Sequence, residues 1–357
     1  MVTKAKQKNE SYDRKLVEKH ITDALHAAAI TASIHIENFT QGKEEKTDLP
    51  LDVKKARVKK IDTDADGAFQ NILKQSSVEF HGIDAEGGKE AHPDKLGEAM
   101  PLSIGVFGKG DTKATFVLDV VEGTTAAAHN RPDAISIAGV SSYNSVQKIP
   151  INPKTGQGYN YFRKLFAPPE FSNHLSLEKS ALENLQTVLD IANIKPKRMR
   201  VVAMNRKSNE DILLAAKKLG ANLTLLQAGD LAWCLKALLS DPEEPILVLG
   251  RGGAEEGSIA QIAAHALHGT GQLQAMMEER DIKSTDTTPI WNPTDYIKGD
   301  AKHSLVVFSS ITKGDHFGMH AVKTFSEEKD SGYMIDTMVI DSNGAKRKTH
   351  KVSYKFY

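Results

Sequence analysis

The feature that most constrains the fold is a regular alternation of strand-length and helix-length patterns in the second half of the chain. Short apolar runs separated by amphipathic segments are typical of βαβ units, whose strands lie side by side in a parallel sheet covered by helices. The sequence therefore predicts a mostly parallel sheet here. Its expected strands span residues 200–204, 222–226 and 246–249, with helices from about 176 to 195, up to Gly220, from Asp230 and from Glu256.

The first half of the chain predicts long helices and a mainly antiparallel sheet. Ser11 is suited to cap an amphipathic helix whose apolar stripe runs from Leu16 to Ile36. Residues 41–60 are charged and weakly patterned, which favours a loop or an insertion before a helix from Asp66. Strand-length runs span residues 78–80, 102–107, 115–120 and 134–140, and four more close the chain at 304–309, 320–325, 334–340 and 348–354.

The length of the chain predicts two lobes. Its 357 residues exceed the roughly 250–300 at which a single hydrophobic core usually stops growing. Pro168 and Pro169 interrupt any regular element, so the boundary is placed there. The predicted organisation is a flexible tail at 1–11, an N-terminal α+β lobe at 12–168 and a C-terminal α/β lobe at 169–357.

The composition excludes some classes of function. Lys plus Arg and Asp plus Glu both total 46, so the formal net charge is zero. General binding to nucleic acid or to an anionic membrane needs an excess of positive charge, so neither partner is expected. The single cysteine, Cys234, lies in an apolar run and is predicted to pack in the core. No membrane span or signal sequence is apparent, and the predicted location is the cytoplasm.

The end of an apolar strand is the first candidate site. The strand delivers Asp119, and Glu122 follows three residues later. Two carboxylates at that spacing, with the backbone carbonyl of Val121 between them, could hold Mg²⁺ or Mn²⁺, which prefer oxygen ligands. Thr124 could then orient a water molecule while a nearby carboxylate accepts its proton. The alternative is structural, because Asp and Thr are also favoured at helix caps.

A glycine-rich segment, residues 250–257, is the second candidate site. Its four glycines lie between a strand and a helix, where backbone N–H groups can approach an anion at the positive end of the helix. Glu256 in this segment could complete the metal shell begun by Asp119 and Glu122. The alternative is a tight structural turn without any ligand, which explains many glycine-rich loops.

Polar side chains at two further strand ends form the third set of candidates. Asp230 could accept hydrogen bonds from sugar hydroxyls, or it could simply cap the helix that follows it. Arg206 and Lys207 offer two cations for a phosphate group, or they could belong to a solvated surface. The thirteen histidines lack the paired spacing of zinc sites, so zinc is not supported.

Six short segments follow one another in the order found in a known family. They are residues 66–68 (Asp-Gly-Ala), 119–124 (Asp-Val-Val-Glu-Gly-Thr), 161–168, 229–230, 252–257 and 311–315. With this set, the chain from about residue 62 to 357 resembles the class II fructose-1,6-bisphosphatases, some of which also act on sedoheptulose-1,7-bisphosphate. The resemblance implies a layered α-β-α-β-α sandwich, dependence on Mn²⁺ or Mg²⁺, and a homo-oligomer, either a dimer or a tetramer.

The resemblance also implies roles for individual residues. Asp119, Glu122 and Glu256 would bind the metal, and Thr124 would position the attacking water. The residues implied near the sugar bisphosphate are Gly123, Tyr161, Arg206, Asp230 and Gly253, with Lys207 and Ser208 next to Arg206.

The chain departs from the family pattern at several positions. A family Asp aligns with Ile61, so Asp62 is the nearest candidate for its role. A family metal carboxylate would have to be replaced by Asp84 or Glu86. The other departures are Val120 for a proline, Ser208 for a phosphate-binding Arg and Ala228 for an Asp.

The leading hypothesis is hydrolysis of the 1-phosphate of fructose-1,6-bisphosphate, with sedoheptulose-1,7-bisphosphate as a second substrate, by in-line attack of an activated water. Such an enzyme would belong to gluconeogenesis and central carbon metabolism. Two alternatives stay open. One is a phosphomonoesterase of the inositol-phosphatase type. The other is a catalytically weakened paralogue that binds sugar phosphates, which the departures from the family pattern would explain.

Overall fold

Two β-sheets and the helices around them make up the computed structural model, which describes residues 12–40, 51–84, 102–148, 159, 161–227, 229–276, 288–327 and 330–353. The helices are α1 (Arg14–Thr40), α2 (Leu51–Leu73), α3 (Thr124–Ala128), α4 (Ala181–Ala192), α5 (Glu210–Leu219), α6 (Leu231–Leu238), α7 (Ala254–Ala266) and α8 (Pro293–Tyr296). The strands are β1 (Glu79–Asp84), β2 (Leu102–Phe107), β3 (Lys113–Glu122), β4 (Ile135–Ser142), β5 (Tyr161–Ala167), β6 (Arg200–Met204), β7 (Asn222–Leu226), β8 (Ile246–Gly253), β9 (Thr270–Met276), β10 (Ile290–Trp291), β11 (Leu305–Ser310), β12 (Lys323–Glu327), β13 (Asp330–Asp341) and β14 (Gly344–Val352).

The first sheet has the strand order β12-β13-β11-β4-β3-β1-β2, and β14 pairs with β13. The pairing of β1 with β3 is parallel, whereas the remaining strand pairs of this sheet are antiparallel. This confirms the predicted mainly antiparallel sheet. The strand β11, from far along the chain, pairs with β4 and so completes the sheet that the first half of the chain begins.

The second sheet has the order β10-β9-β5-β8-β6-β7. Strand β6 pairs in parallel with β7 and β8, but β5 pairs antiparallel with β8 and β9, and β9 with β10. The prediction of a mostly parallel sheet was therefore wrong. The alternating pattern identifies β6, β7 and β8 correctly, but it carries no information about strands that join the same sheet from outside the βαβ units.

The predicted boundary between residues 168 and 169 does not separate the two sheets. Strand β5 precedes it but lies in the second sheet, and β11–β14 follow it but lie in the first. The two prolines end strand β5 and open a short 3₁₀ turn, Pro169–Phe171. They therefore mark the end of an element rather than the end of a lobe.

Five layers alternate between helix and sheet. Helices α1 and α2 pack on the outer face of the first sheet, and α4 and α5 on the outer face of the second. Helices α6 and α7 lie between the sheets and share one core with both. Every residue of α7 from Gly257 to Ala266 is buried, as expected for a helix covered on all sides. This architecture confirms the predicted layered α/β sandwich.

Helix α2 corrects one prediction from the sequence. Residues 51–60 belong to this helix, which runs from Leu51 to Leu73, and not to a loop that ends before Asp66. Lys, Arg and Ala are good helix formers, but a helix with a broad solvated face has little hydrophobic periodicity. The rest of the predicted loop, residues 41–50, and the predicted cap Ser11 lie outside the described residues.

Several other predictions are confirmed. Strands β2, β6 and β7 have the predicted bounds, and the predicted stripe of α1 is buried from Ile21 to Ile36. Cys234 is a buried free thiol. Within the described ranges, no helix combines the length and the apolar character needed to cross a membrane.

A buried polar chain links α1 to the first sheet. His26 is 3% exposed, and its Nε2 lies 2.8 Å from the hydroxyl oxygen of Thr337, which lies 3.1 Å from that of Ser309. The ring of His350 lies 4.8 Å from the His26 ring. Burial, and then the charge of His350, lowers the pKa of His26 to about 3. The imidazole of His26 is therefore neutral in the folded protein at neutral pH.

We expect His26 to make the protein less stable in acid. Between pH 6.5, the ordinary pKa of the imidazole, and about 3, the unfolded chain binds a proton that the folded chain excludes, so stability falls as the pH falls. At about pH 5 the loss is about 2 kcal/mol. Urea unfolding near pH 7.5 and near pH 5 measures it.

The pH dependence should be smaller by this amount in His26→Gln, because glutamine binds no proton. The exposed His174 provides a matched control, and His174→Gln should keep the wild-type difference between the two pH values. An equal pH dependence in His26→Gln and the wild type would show that this imidazole does not contribute.

Candidate active site

A bulge at the end of β3 brings two carboxylates together. Residues three apart on a regular strand point to opposite faces of a sheet. In the pairing of β3 with β4, however, the register shifts between Asp119, opposite Ile137, and Glu122, opposite Ile135. The extra residue reverses the alternation, so the side chains of Asp119 and Glu122 are hydrogen-bonded to each other. The backbone N–H of Val121 donates to Asp119 Oδ1 at 3.1 Å.

Glu122 is surrounded by other acidic side chains. It is 9% exposed, and burial raises its pKa well above the ordinary value, followed by the charge of Asp119, the hydrogen bond with Asp119, and the charges of Glu256 and Asp230. Burial likewise raises the pKa of Asp119, against the hydrogen bonds from Glu122 and the Val121 amide. Four carboxylates, from β3, the start of α6 and the start of α7, thus meet at one place.

Glu256 is supplied by the first turn of α7, directly after β8. Its Oε2 atom is buried and has no hydrogen-bond partner among the described residues. Burial raises the pKa of Glu256, Lys164 lowers it, and Asp230 and Asp119 raise it. The structure therefore places the glycine-rich segment next to the Asp119–Glu122 pair. The sequence had predicted that these two segments converge.

One buried cation faces these carboxylates. Lys164 is fully buried, and its Nζ donates to Asp230 Oδ1 at 2.7 Å. Burial lowers the pKa of Lys164, but the charges of Asp230 and Glu256 outweigh burial and leave it above its ordinary value. Asp230 occupies the N-cap position of α6, yet its side chain makes no cap hydrogen bond. The carboxylate of Asp230 therefore serves the ion pair and not the helix.

Sequence reasoning missed Lys164, although β5 carries a signal for it. Residues 162, 164 and 166 share one face of the strand, and Phe162 and Phe166 on that face are fully buried. A lysine in such an alternation has to be paired, because burying an unpaired charge costs several kcal/mol.

Asp62 and Thr124 form the other side of the site. The Thr124 hydroxyl donates to the Val121 carbonyl oxygen at 2.9 Å, and it is also within hydrogen-bonding reach of Asp62. Burial and the charge of Asp119 raise the pKa of Asp62 to about 6, and the contact with Thr124 lowers it. Ile61 is fully buried in the core. The helix thus presents Asp62, and not residue 61, to the carboxylates.

The remaining candidates take two positions. Tyr161 lies opposite Gly253 in the β5–β8 pairing, and the Arg206 guanidinium donates to the Tyr161 hydroxyl. Ser208 lies instead in a cavity on the α4–α5 side of the second sheet. Lys207 is exposed, and Gly123 caps α3 with φ 80°. The backbone of Asp84 ends β1 beside β3, but its side chain lies outside the described part of the chain, as do Glu86 and Ala228.

The carboxylates are close but not arranged as a finished metal shell. In the described part of the chain, no three Asp, Glu, His or Cys side chains are placed to bind one ion. Asp119 and Glu122 bond to each other instead, and Asp230 bonds to Lys164. Binding a cation therefore requires that the Asp119–Glu122 hydrogen bond open.

Residues 53–352 match the family described as bacterial fructose-1,6-bisphosphatase, glpX-encoded. The chain belongs to this family. Both acidic segments, the Tyr161 strand and Asp62 lie within the matched range. The predicted resemblance to class II fructose-1,6-bisphosphatases is confirmed.

Individual members of the family share about a quarter of their aligned residues with this chain. A protein of Synechocystis named D-fructose 1,6-bisphosphatase class 2/sedoheptulose 1,7-bisphosphatase is 27% identical over 167 residues, which cover 47% of this chain and 46% of the relative. One with the same name from Synechococcus elongatus is 24% identical over 191 residues, 51% of this chain and 53% of the relative. The chain spans about half the length of the curated relatives that it matches.

Gly252 provides a test of the buried ion pair. A Cβ atom at this position would lie 2.5 Å from Lys164 Nζ and 2.9 Å from Asp230 Oδ2. We expect Gly252→Ala to lower the free energy of unfolding by roughly 2–4 kcal/mol, because the pair would have to separate without solvent. Chemical denaturation measures this change.

Gly67 in α2 is the matched control, since a Cβ atom there meets nothing within 4 Å. Gly67→Ala should leave the protein as stable or about 0.5–1 kcal/mol more stable. Equal stability of Gly252→Ala and the wild type would contradict the tight packing of the ion pair.

Proposed function

We propose that the chain is a metal-dependent phosphatase that releases the 1-phosphate of fructose-1,6-bisphosphate and also acts on sedoheptulose-1,7-bisphosphate. The observation that carries this proposal is the convergence of the Asp119–Glu122 pair with Glu256 in a member of this family. The relatives are named for the same two activities. The family itself is metal-dependent.

The donor set fits a hard divalent cation. Asp119, Glu122 and Glu256 offer only carboxylate oxygens, which Mg²⁺ and Mn²⁺ prefer, and the unpaired Glu256 Oε2 is free to serve as a ligand among the described groups. The Val121 carbonyl oxygen and the carboxylates of Asp62 and Asp84 are further candidates. A cation bound there would neutralise charge on the phosphoryl group and acidify the attacking water.

Thr124 is placed to orient the attacking water, and Asp62 is placed to accept its proton. The Thr124 hydroxyl has one proton, and it lies between the Val121 carbonyl oxygen and the Asp62 carboxylate. When it donates to one of them, its oxygen lone pairs can accept a hydrogen bond from water. Asp62 then takes the proton as the water oxygen bonds to phosphorus and the bond from phosphorus to the sugar oxygen breaks.

Residues of the second sheet would hold the sugar and its other phosphate. Arg206 and Tyr161 are already hydrogen-bonded to each other at the start of β5, and Lys207 follows Arg206 in the chain. Asp230, whose Oδ1 accepts from Lys164, would accept hydrogen bonds from sugar hydroxyls. Gly253 and Gly123 would present backbone N–H groups. The preferred metal, the cytoplasmic location, a place in gluconeogenesis and the dimer or tetramer stay predictions.

Glu122→Gln is the direct test of the activity. With Mn²⁺ or Mg²⁺, the wild type should release phosphate from fructose-1,6-bisphosphate, and the variant should lose roughly 100-fold or more in rate because a charged ligand becomes neutral. Glu210→Gln, the same change at an exposed site on α5, should retain the wild-type rate. A substrate panel with sedoheptulose-1,7-bisphosphate and inositol phosphate identifies the substrate.

An equally active Glu122→Gln would refute the proposal. Binding of the bisphosphate without turnover under all metals would favour the weakened paralogue.

Metal binding has a readout that does not depend on turnover. Because crowded carboxylates repel one another until a cation binds, we expect saturating Mn²⁺ or Mg²⁺ to raise the melting temperature by on the order of 5 °C. Glu122→Gln and Glu256→Gln should each lose most of this rise, while Glu210→Gln keeps it. A rise of the same size in all four proteins would place the metal elsewhere.

A further inference from the structure

Two arginines face each other across the second sheet. Arg163 on β5 lies directly opposite Arg251 on β8 in the antiparallel register, and both are half-buried. Like charges at directly opposite positions destabilise a sheet. Burial, and then the charge of Arg251, lowers the pKa of Arg163, while Asp211 opposes this. The pair is therefore costly to the protein unless something neutralises it.

The arginines line a cavity of about 230 Å³ with an excess of positive charge. The other charged groups that line it are Lys164, Lys179 and Asp211. Lys164 is paired with Asp230, and Lys179 donates to the carbonyl oxygen of His174. Asp211 is the one carboxylate among the described lining residues, and no ion pair joins it to either arginine in this part of the chain.

The same cavity contains an unsatisfied acceptor. Asn209 is fully buried; its Nδ2 donates to the Met204 carbonyl oxygen at 3.0 Å, while its Oδ1 has no partner within the described ranges. At the adjacent Gly250, φ is 145°, and a Cβ atom would lie 3.2 Å from Asn209 Oδ1. A buried acceptor without a hydrogen bond costs about 1–3 kcal/mol, so a ligand hydroxyl would relieve this cost.

We propose that this cavity binds a phosphate group through Arg163 and Arg251, and that Asn209 Oδ1 accepts a hydrogen bond from a hydroxyl of the same molecule. Two guanidinium forks match the oxygens of a phosphate dianion. The volume is smaller than the roughly 300–1,000 Å³ of typical ligand pockets, so it suits one phosphate group and its neighbouring atoms. A whole sugar bisphosphate would extend beyond it.

The phosphate has two sources, and the position of the cavity favours one. Arg163 and Lys164 are neighbours on β5, so their side chains point to opposite faces of the sheet. Lys164 bonds to Asp230 next to the carboxylates, whereas the cavity lies on the face that packs against α4 and α5. A separate phosphorylated effector is therefore the favoured occupant. The phosphate of the sugar bisphosphate that is not cleaved is the second source.

Binding can be measured without turnover. Titration calorimetry on the full chain in EDTA would use fructose 6-phosphate, which retains only the distal phosphate, and inorganic phosphate. We expect Arg163→Gln and Arg251→Gln each to weaken binding of at least one of these probes by about tenfold or more. Arg163→Lys should weaken it less, because it keeps the charge but not the fork.

Two measurements separate a binding role from a folding defect. Arg198→Gln removes an exposed arginine that lies just before β6 and does not line the cavity. This variant should bind the probes like the wild type. Without ligand, Arg163→Gln should melt no lower than the wild type, since it relieves the like-charge pair. With phosphate, the melting temperature of the wild type should rise and that of the variant should not.

Kinetics identify the source of the phosphate. If Arg163→Gln raises KM for the bisphosphate more than it lowers kcat, the distal phosphate of the substrate occupies the cavity. If probe binding is lost but KM is unchanged, the occupant is a separate effector. Unchanged binding of both probes in both glutamine variants would overturn the inference, even with normal bisphosphate hydrolysis. Arginine-dependent binding in a protein that hydrolyses nothing would sustain it and refute the proposed function.

Discussion

Electrostatic repulsion among buried carboxylates is the constraint around which this molecule is arranged. Asp119, Glu122, Asp230 and Glu256 meet in one region, and Lys164 is the buried cation that faces them. A cluster of this kind is unfavourable unless hydrogen bonds, an ion pair or a bound cation compensates it. The glycine at 252 follows from this arrangement, because the Lys164–Asp230 pair occupies the space of a side chain there.

The layered fold makes this convergence possible. The carboxyl end of β3 in the first sheet and the β8–α7 junction of the second sheet both face the space that α6 and α7 fill. A buried helix between two sheets fixes their separation, because its side chains pack against both. The carboxylates are thus held next to this buried core, while the bulge in β3 adjusts the direction of one side chain.

Sequence patterns predicted the individual helices and strands better than they predicted which strands pair with each other in a sheet. Strands β6 and β7 had the predicted bounds because apolar runs between amphipathic helices are local signals. The membership of β5 in the second sheet and of β11 in the first depends on contacts between distant residues, which periodicity does not encode. The start of helix α2 was missed because its local signal is weak. The residues there are largely exposed, so they show little apolar periodicity.

The site was predictable to a similar degree. The motifs identified Asp119, Glu122 and Glu256, and the structure brings them together. Lys164 was missed because it was treated as part of a motif and not as a charge on an apolar face. The choice of Asp62 over its neighbour needed the helix, in which Ile61 turns into the core. Ser208 could be placed with Arg163 and Arg251 only once the register of β5 and β8 was known.

The return of β11 to the first sheet has a consequence for synthesis of the chain. The strands of the second sheet all lie between residues 161 and 291, whereas β4 acquires its neighbour β11 only when residues 305–310 have been made. Until then β4 is an open edge with buried-type residues such as Ile137 and Val140, a surface on which other chains can add a strand. On the ribosome, the sheet that begins later is thus completed first, and the nascent first sheet needs protection while residues 143–304 are made.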